Sequence, residues 1–370
     1  MLELCTDGQH PVRRHVLLPS HPSSLPEEDV EYLRRKGAFS VPQSETCKSL
    51  LRAYFHHIHP LMPVVDAASI MPLLADGQAT RFNLLLLWSV FFSAVTVCSF
   101  PTRPGTLGQE ANHCQFVPAE TWENEHYSSR QQMRDAMYLR AKVRCTESYI
   151  ERTIAGRKFW AKTDTLQCMY DSSGETDRTV LLQSALLLAF YHSEKDLHTQ
   201  PWYWSGIAIS HCQIMGLHRP PVTTDDLSSV DGRRRRIWRR LWWCCFFRDR
   251  WLSLTLGRPL RINLDDCTVA SPVAADLLID VADMPGVLAA TYIPADYSQL
   301  AQDWVLLMHV SKLLGEVLAL SFRPSARNTT LRQFKDLEEA ILACPVERGG
   351  DTRLSSSAIF SSCHIQLHYQ

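Results

Sequence analysis

The densest group of side chains able to do chemistry is Arg233-Arg234-Arg235-Arg236-Ile237-Trp238-Arg239-Arg240-Leu241-Trp242-Trp243-Cys244-Cys245-Phe246-Phe247-Arg248-Asp249-Arg250-Trp251. Arginines interleaved with aromatic rings suit single-stranded nucleic acid, with guanidinium on phosphate and ring on base. Arg233, Arg234, Arg235 and Arg236 alone have the composition of a nuclear import signal. The same string also reads as a core helix. At helical spacing Trp238, Trp242 and Cys245 share a face with Leu241 and Cys244 beside them, so the rings pack while arginine stems run along the surface. A stacking platform must be exposed, which favours packing for the aromatics. A helix N-terminus repels positive charge, so the four leading arginines are expected to project into solvent.

Leu256-Gly257-Arg258-Pro259 follows, where Gly257 and Pro259 stop the helix. Arg258 is placed to turn back on a carboxylate such as Asp249 and fix the loop by a buried ion pair, or to offer its planar fork to an anion. Asp249, Arg250, Gly257, Arg258 and Pro259 are therefore the candidate structural and regulatory motif. His56, His57 and His59 precede Pro60, with Asp66 beyond, and invite a metal reading. On a helix His56 and His57 point apart and His59 neighbours only His56, so no three ligands converge. The 12 cysteines are scattered apart from Cys244-Cys245 and include no C-x-x-C pair, which indicates reduced buried thiols and neither a zinc ribbon nor a redox site. No G-x-S-x-G, H-E-x-x-H, P-loop or dinucleotide fingerprint occurs. Binding, not catalysis, is the expectation, without cofactor or metal in this chain.

The elements that must position these residues read as helices. With 370 residues, 45% hydrophobic and 21% charged, the chain is long enough for one or two cores, and a net charge of -1 provides no global field for nucleic acid. Residues 1–26, rich in Pro, Ser and His, read as a flexible lead-in, and 27–370 as the folded domain. A short helix follows Pro26 and ends at Lys36-Gly37. Leu50, Leu51, Tyr54, Phe55 and Ile58 form an apolar stripe that stops before Pro60 and Pro63. Further helices are expected over Ala67–Leu74, Phe82–Phe100 and Tyr127–Gly156. Leu181–Phe190 and Trp202–Met215 form an expected pair, closed by Gly216 in the left-handed conformation. The uncharged stretch from Asn83 to Thr102 could span a bilayer, but Ser89, Ser93 and Thr96 at helical spacing and the lack of a flanking basic cluster favour a helix buried in protein. The fold class is all-α, an irregular multi-helix bundle or array of antiparallel pairs. Without a charged-then-apolar leader at Met1, a reducing intracellular compartment is expected.

Several strings, in order, carry a family resemblance: Asp29-Val30-Glu31-Tyr32-Leu33, Lys36-Gly37-Ala38-Phe39, Leu51-Arg52-Ala53-Tyr54-Phe55-His56-His57-Ile58-His59-Pro60-Leu61-Met62-Pro63-Val64-Val65-Asp66, Trp202-Tyr203-Trp204-Ser205-Gly206-Ile207-Ala208, Met215-Gly216-Leu217-His218-Arg219, and Arg235-Arg236-Ile237-Trp238 leading to Asp249-Arg250 and Gly257-Arg258-Pro259. Over roughly residues 29 to 370 the chain resembles the fungal-specific transcription factor domain, the middle homology region of binuclear zinc cluster regulators, and the cutinase transcription factor group in particular. The resemblance implies a nuclear regulator of RNA polymerase II target genes, of a metabolic or secondary-metabolite pathway. Its partner would be a full-length zinc cluster transcription factor or a coregulator, with a small-molecule effector and no membrane. Such regulators carry six zinc-binding cysteines ahead of this region. Cys5 alone precedes Cys47 here, so contact with DNA is expected to be indirect. The family would also continue past Cys363–Gln370, so a truncated end with an apolar edge is expected. The alternative is a cytoplasmic helical binding or scaffold protein derived from such a regulator.

Overall fold

The computed structural model describes residues 31, 34–35, 37–68, 70, 83–97, 117–146, 152–154, 157–159, 178–191, 199–220, 230–322 and 331–343. The expected lead-in over 1–26, the C-terminal edge beyond 343 and most of Ala67–Leu74 lie outside them. Eleven α-helices occur among the described residues: α1 Ser44–Ala53, α2 Leu84–Val97, α3 Ala119–Glu123, α4 Arg130–Thr146, α5 Arg178–Leu188, α6 Thr199–Ile214, α7 Val230–Leu256, α8 Ala275–Ala282, α9 Gly286–Tyr292, α10 Tyr297–Phe322 and α11 Leu331–Leu342. A π-helical turn, Tyr54–Ile58, continues α1, and a 3-10 turn covers Leu264–Asp266. The architecture is all-α, as the periodicity requires.

One expectation needs correction. Tyr127–Gly156 is not a single helix: α4 ends at Thr146, and Arg152–Ile154 (β1) pairs antiparallel with Arg157–Phe159 (β2), Arg152 opposite Phe159. The β-branched Thr153 and Ile154 followed by Gly156 favour an extended pair with a turn over further helix.

Two helices organise the rest. α2 is apolar all round because it is covered all round, packing on α1, α4 and α5. Leu85, Leu87, Trp88, Val90, Phe91, Phe92 and Val95 are fully buried. Its hydroxyls return to their own helix: Ser89 donates to Leu85 O at 2.9 Å, Ser93 to Val90 O at 2.8 Å and Thr96 to Phe92 O at 2.8 Å. Each of these three hydroxyls thus keeps a partner within the core. Asn83 Oδ1 caps the start, accepting from the N–H groups of Leu85 and Leu86. Among the described residues no helix is long and apolar enough to cross a membrane.

α7 is the second organiser and packs on α5, α6, α8 and α10. Leu241, Trp242, Trp243, Cys244, Cys245, Phe246 and Phe247 are all buried, so its aromatics are core and not a stacking surface. Gly216 (φ 72) and Gly257 (φ 60) take the left-handed conformation just past α6 and α7. There Leu217 N–H bonds Cys212 O and Arg258 N–H bonds Ser253 O, closing each helix end.

Candidate functional site

The last turns of α7 direct two arginines inward. Arg248 donates to Ala189 O, just past the end of α5, at 2.7 Å and lies over the Phe190 ring at 4.9 Å; burial lowers it to about 10. Arg250 donates through Nη1 to Asp249 at 2.6 Å and through Nη2 to Ile262 O at 2.9 Å, with its guanidinium 4.2 Å from the Phe246 ring. The Asp249 carboxylate also accepts from the backbone N–H groups of Arg261 (3.1 Å) and Ile262 (3.0 Å). One buried carboxylate thus ties the returning loop to the helix it has just left. Burial pushes Asp249 above the ordinary carboxylate range, opposed by the Ile262 N–H, Arg250 and the Arg261 N–H in turn.

Arg258 takes no part in this clamp, contrary to the expected ion pair. Gly257, Arg258 and Pro259 are exposed, and backbone amides fill the place on Asp249 that Arg258 was expected to take. The arginine that matters is Arg261. Its guanidinium lies 3.5 Å from the Trp202 ring and donates to Trp202 O at 2.9 Å, so Arg261, whose backbone N–H is bonded to Asp249, bridges the Trp202–Ala208 and Asp249–Pro259 strings. Glycines make room for both arginines. A Cβ on Gly206 would stand 2.6 Å from Arg261 Nη1, and one on Gly315 would stand 2.5 Å from Arg250 Nε. Sequence reading missed Arg261 and Gly315 because they lie outside the motif strings and their partners are distant in the chain.

The N-terminal arginines of α7 form a second arrangement. Arg233 pairs with Asp283 (3.0 Å) and Asp66 (3.6 Å), and Arg236 with Asp280 (3.5 Å). Arg239 pairs with Asp276, and Arg240 lies 2.6 Å from Asp280. Asp276, Asp280 and Asp283 recur at i, i+4 and i+7, forming an acidic edge on and just past α8 that meets the arginine face of α7 running the opposite way. The run Arg233–Arg236 therefore does not project into solvent as a unit. Arg236 is buried, Arg233 is 40% exposed and doubly paired, and Arg234 is exposed over the Trp238 ring at 4.5 Å. Arg235 is half-buried.

The π-helical turn builds a third group. His59 N–H bonds Tyr54 O at 2.9 Å, the i to i+5 pattern, and sets the His59 ring 5.7 Å from the Tyr54 ring and stacked on Tyr297 at 6.1 Å. The Arg240 charge acts on all three. Tyr54, His59 and Arg240 are wholly buried and Tyr297 nearly so. Yet the Tyr54 and Tyr297 hydroxyls, both His59 nitrogens and every Arg240 nitrogen lack a hydrogen-bond partner among the described residues. The 2.6 Å approach of Arg240 Nη2 to Asp280 is an ion contact with its N–H directed off the line. Burial pushes both phenols up, and burial followed by the Arg240 charge holds His59 well below its ordinary value.

The histidines do not gather round a metal. His59 is committed to the tyrosines, and His56 and His57 sit 6.0 Å apart by ring centres with planes inclined at 51°. A six-cysteine zinc cluster has no fit among the described residues either. Cys47, Cys212, Cys244, Cys245 and Cys267 lie on separate elements apart from the adjacent pair, and among the described residues no three His, Cys, Asp or Glu side chains are grouped to share an ion. Burial pushes Cys47 up to about 12 and raises Cys244 and Cys245 well above the ordinary thiol range, so these thiols are poor nucleophiles. A groove of about 380 Å³ between α10 and α11 is lined by Glu316, Ala319, Leu320, Asp336, Leu337 and Ala340.

Comparison with known proteins bears on these same residues. The profile of the fungal specific transcription factor domain matches residues 51–344, a stretch that contains all three groups. Cutinase transcription factor 1 beta of Fusarium vanettenii is 33% identical over 262 residues, 70% of this chain and 24% of that protein. Cutinase transcription factor 1 alpha of the same species is 29% identical over 262 residues, again 70% of this chain and 23% of the relative. The acetamidase regulatory protein of Emericella nidulans is 27% identical over 242 residues, 65% of this chain and 23% of its own length. The chain thus spans about a quarter of the length of these relatives. No solved structure matches it. With the profile covering most of the chain, this protein belongs to the fungal specific transcription factor domain family.

Proposed function

We propose that this chain regulates transcription as the helical regulatory domain of a fungal transcription regulator, acting in the nucleus on RNA polymerase II target genes through binding and not catalysis. The observation that supports it is the profile match over residues 51–344, reinforced by relatives named as transcription factors and as a regulator of acetamidase. The motif residues fit a binding role: Asp249 and Arg250 hold a loop, and the buried cysteines are too hard to ionise to act as nucleophiles. In this reading no zinc is held by this chain. DNA is reached through a partner, either a zinc cluster protein or a coregulator, and a small-molecule effector tunes the output. Pathways of the kind named for the relatives, such as cutin or acetamide use, are the corresponding candidates.

Nuclear entry in this reading does not lean on Arg233–Arg236, because Arg233 and Arg236 are engaged with Asp66, Asp280 and Asp283. The test is a fusion of the full 370-residue chain to an unrelated DNA-binding domain, with a reporter gene carrying that domain's site. The expected result is a several-fold change in reporter output relative to the DNA-binding domain alone, abolished by Asp249→Asn. A fusion that is nuclear, folded and without effect in either direction would overturn the reading.

A further inference from the structure

The arginines of α7 fall into two sorts. Arg248 and Arg250 are buried and spend their donors on Ala189 O, Asp249 and Ile262 O. Arg240, about two to three turns earlier and more deeply buried, spends none on an aligned acceptor. Asp280, with which it makes its ion contact, is shared with Arg236. Beside Arg240 stand two phenols and an imidazole whose polar atoms also lack partners, at a turn whose π-helical hydrogen bonding is frequent at functional sites. A purely structural arginine in a core is normally better satisfied: Arg248 and Arg250 leave only Nε without a partner, whereas Arg240 leaves all three nitrogens.

We propose that Tyr54, His59, Arg240 and Tyr297 form a binding site for a small carboxylate anion, with Arg240 taking the carboxylate and the phenols and imidazole orienting it. This deepens the effector reading given above and rests on it. Guanidinium N–H groups arranged as a fork match the two oxygens of a carboxylate. The neighbouring Asp280 carboxylate opposes a second negative charge, which favours a monocarboxylate over phosphate or a dicarboxylate. The cluster is buried throughout, with Tyr297 at the head of α10 stacked on His59, so entry requires Tyr297 to move off the π-helical turn.

Thermal unfolding of the full chain in sodium acetate, propionate and benzoate, against sodium chloride and inorganic phosphate, tests the site. At least one monocarboxylate is expected to give a saturable rise in Tm, reaching about 5 °C or more at roughly 100 times its Kd. Tyr54→Phe and Tyr297→Phe remove only a hydroxyl that lacks a protein partner. Both are expected to fold with unchanged or higher Tm in the absence of carboxylate, and to weaken the carboxylate response about tenfold. Arg240→Lys is expected to abolish the response. The proposal is overturned if no monocarboxylate gives a saturable shift, if chloride or phosphate does equally well, or if the Tyr→Phe variants titrate like the parent. Any of these results together with an active reporter fusion would remove the site and leave the transcriptional reading intact.

Discussion

Replacing Asp249 by Asn keeps the shape of the side chain and removes its charge. In the native protein the carboxylate accepts Arg250 Nη1 at 2.6 Å, Ile262 N–H at 3.0 Å and Arg261 N–H at 3.1 Å, and it is completely buried. Asparagine has one acceptor oxygen, so at most part of this set survives, and its NH2 group is forced against a donor. Arg250 remains buried without its counter-charge. Breaking a buried, hydrogen-bonded pair from one side costs about 3–5 kcal/mol, against a total stability of about 5–15 kcal/mol for a folded domain. At roughly 2–4 °C per kcal/mol, Tm falls by about 6–20 °C. Arg258→Ala, at an exposed position two residues past α7, changes stability by less than about 0.5 kcal/mol. Urea and thermal unfolding of the two variants beside the parent measure the contrast. If Asp249→Asn lies within about 1 kcal/mol of the parent, or Arg258→Ala proves as damaging, then the clamp is not what holds this loop.

Three further outcomes follow from the same packing. Gly315→Ala drives a methyl into Arg250 Nε and Cδ, atoms held in place by Asp249 and Ile262, and costs about 2 kcal/mol or more. Gly206→Ala meets only the tip of Arg261, which can swing, and costs about 1 kcal/mol; equal urea midpoints for the two would contradict the difference. Asp280→Asn strips a carboxylate shared by the buried Arg236 and Arg240 and costs about 3 kcal/mol. Asp283→Asn, half exposed, costs less than about 0.5 kcal/mol, so comparable losses would refute the ranking. Acid weakens the fold through its histidines. His57 is lowered to about 4, and His56, His59 and His211 are also lowered, each by burial first. The unfolded chain binds these protons below pH 6.5 and the folded chain does not, so stability is lost as pH falls from 6.5 towards 4. His57 alone contributes up to about 3 kcal/mol over that window. Asp66 and Asp249, raised by burial, act in the opposite sense above 3.8 and offset part of the loss. A urea midpoint that stays level between pH 7 and pH 5 would contradict the balance.

Local pattern and long-range geometry divide what the sequence could reveal. The apolar run from Leu84 and the Trp242–Phe247 stretch announce buried helices whatever they pack against, because burial on every side leaves no polar face to read. Gly216 and Gly257 were legible for an equally local reason: a left-handed residue is needed to close a helix, and glycine supplies it without strain. The arginines were harder. Arg234 and Arg236 are indistinguishable in the string, yet one is exposed over a ring and the other is buried against Asp280, 44 residues away. The same holds at the clamp, where proximity in sequence favoured Arg258 for Asp249 and the chain instead returns two backbone amides, reserving Arg261 for Trp202, 59 residues back. Charge along a helix can be counted from sequence, but which charges lose their water is decided by the neighbouring helix. The acidic spacing at Asp276, Asp280 and Asp283 was the available signal, since three carboxylates on one edge of a short helix call for a cationic face opposite. Arg240 is the residue for which that complement falls short, and its charge bears on the π-helical turn at Tyr54–Ile58.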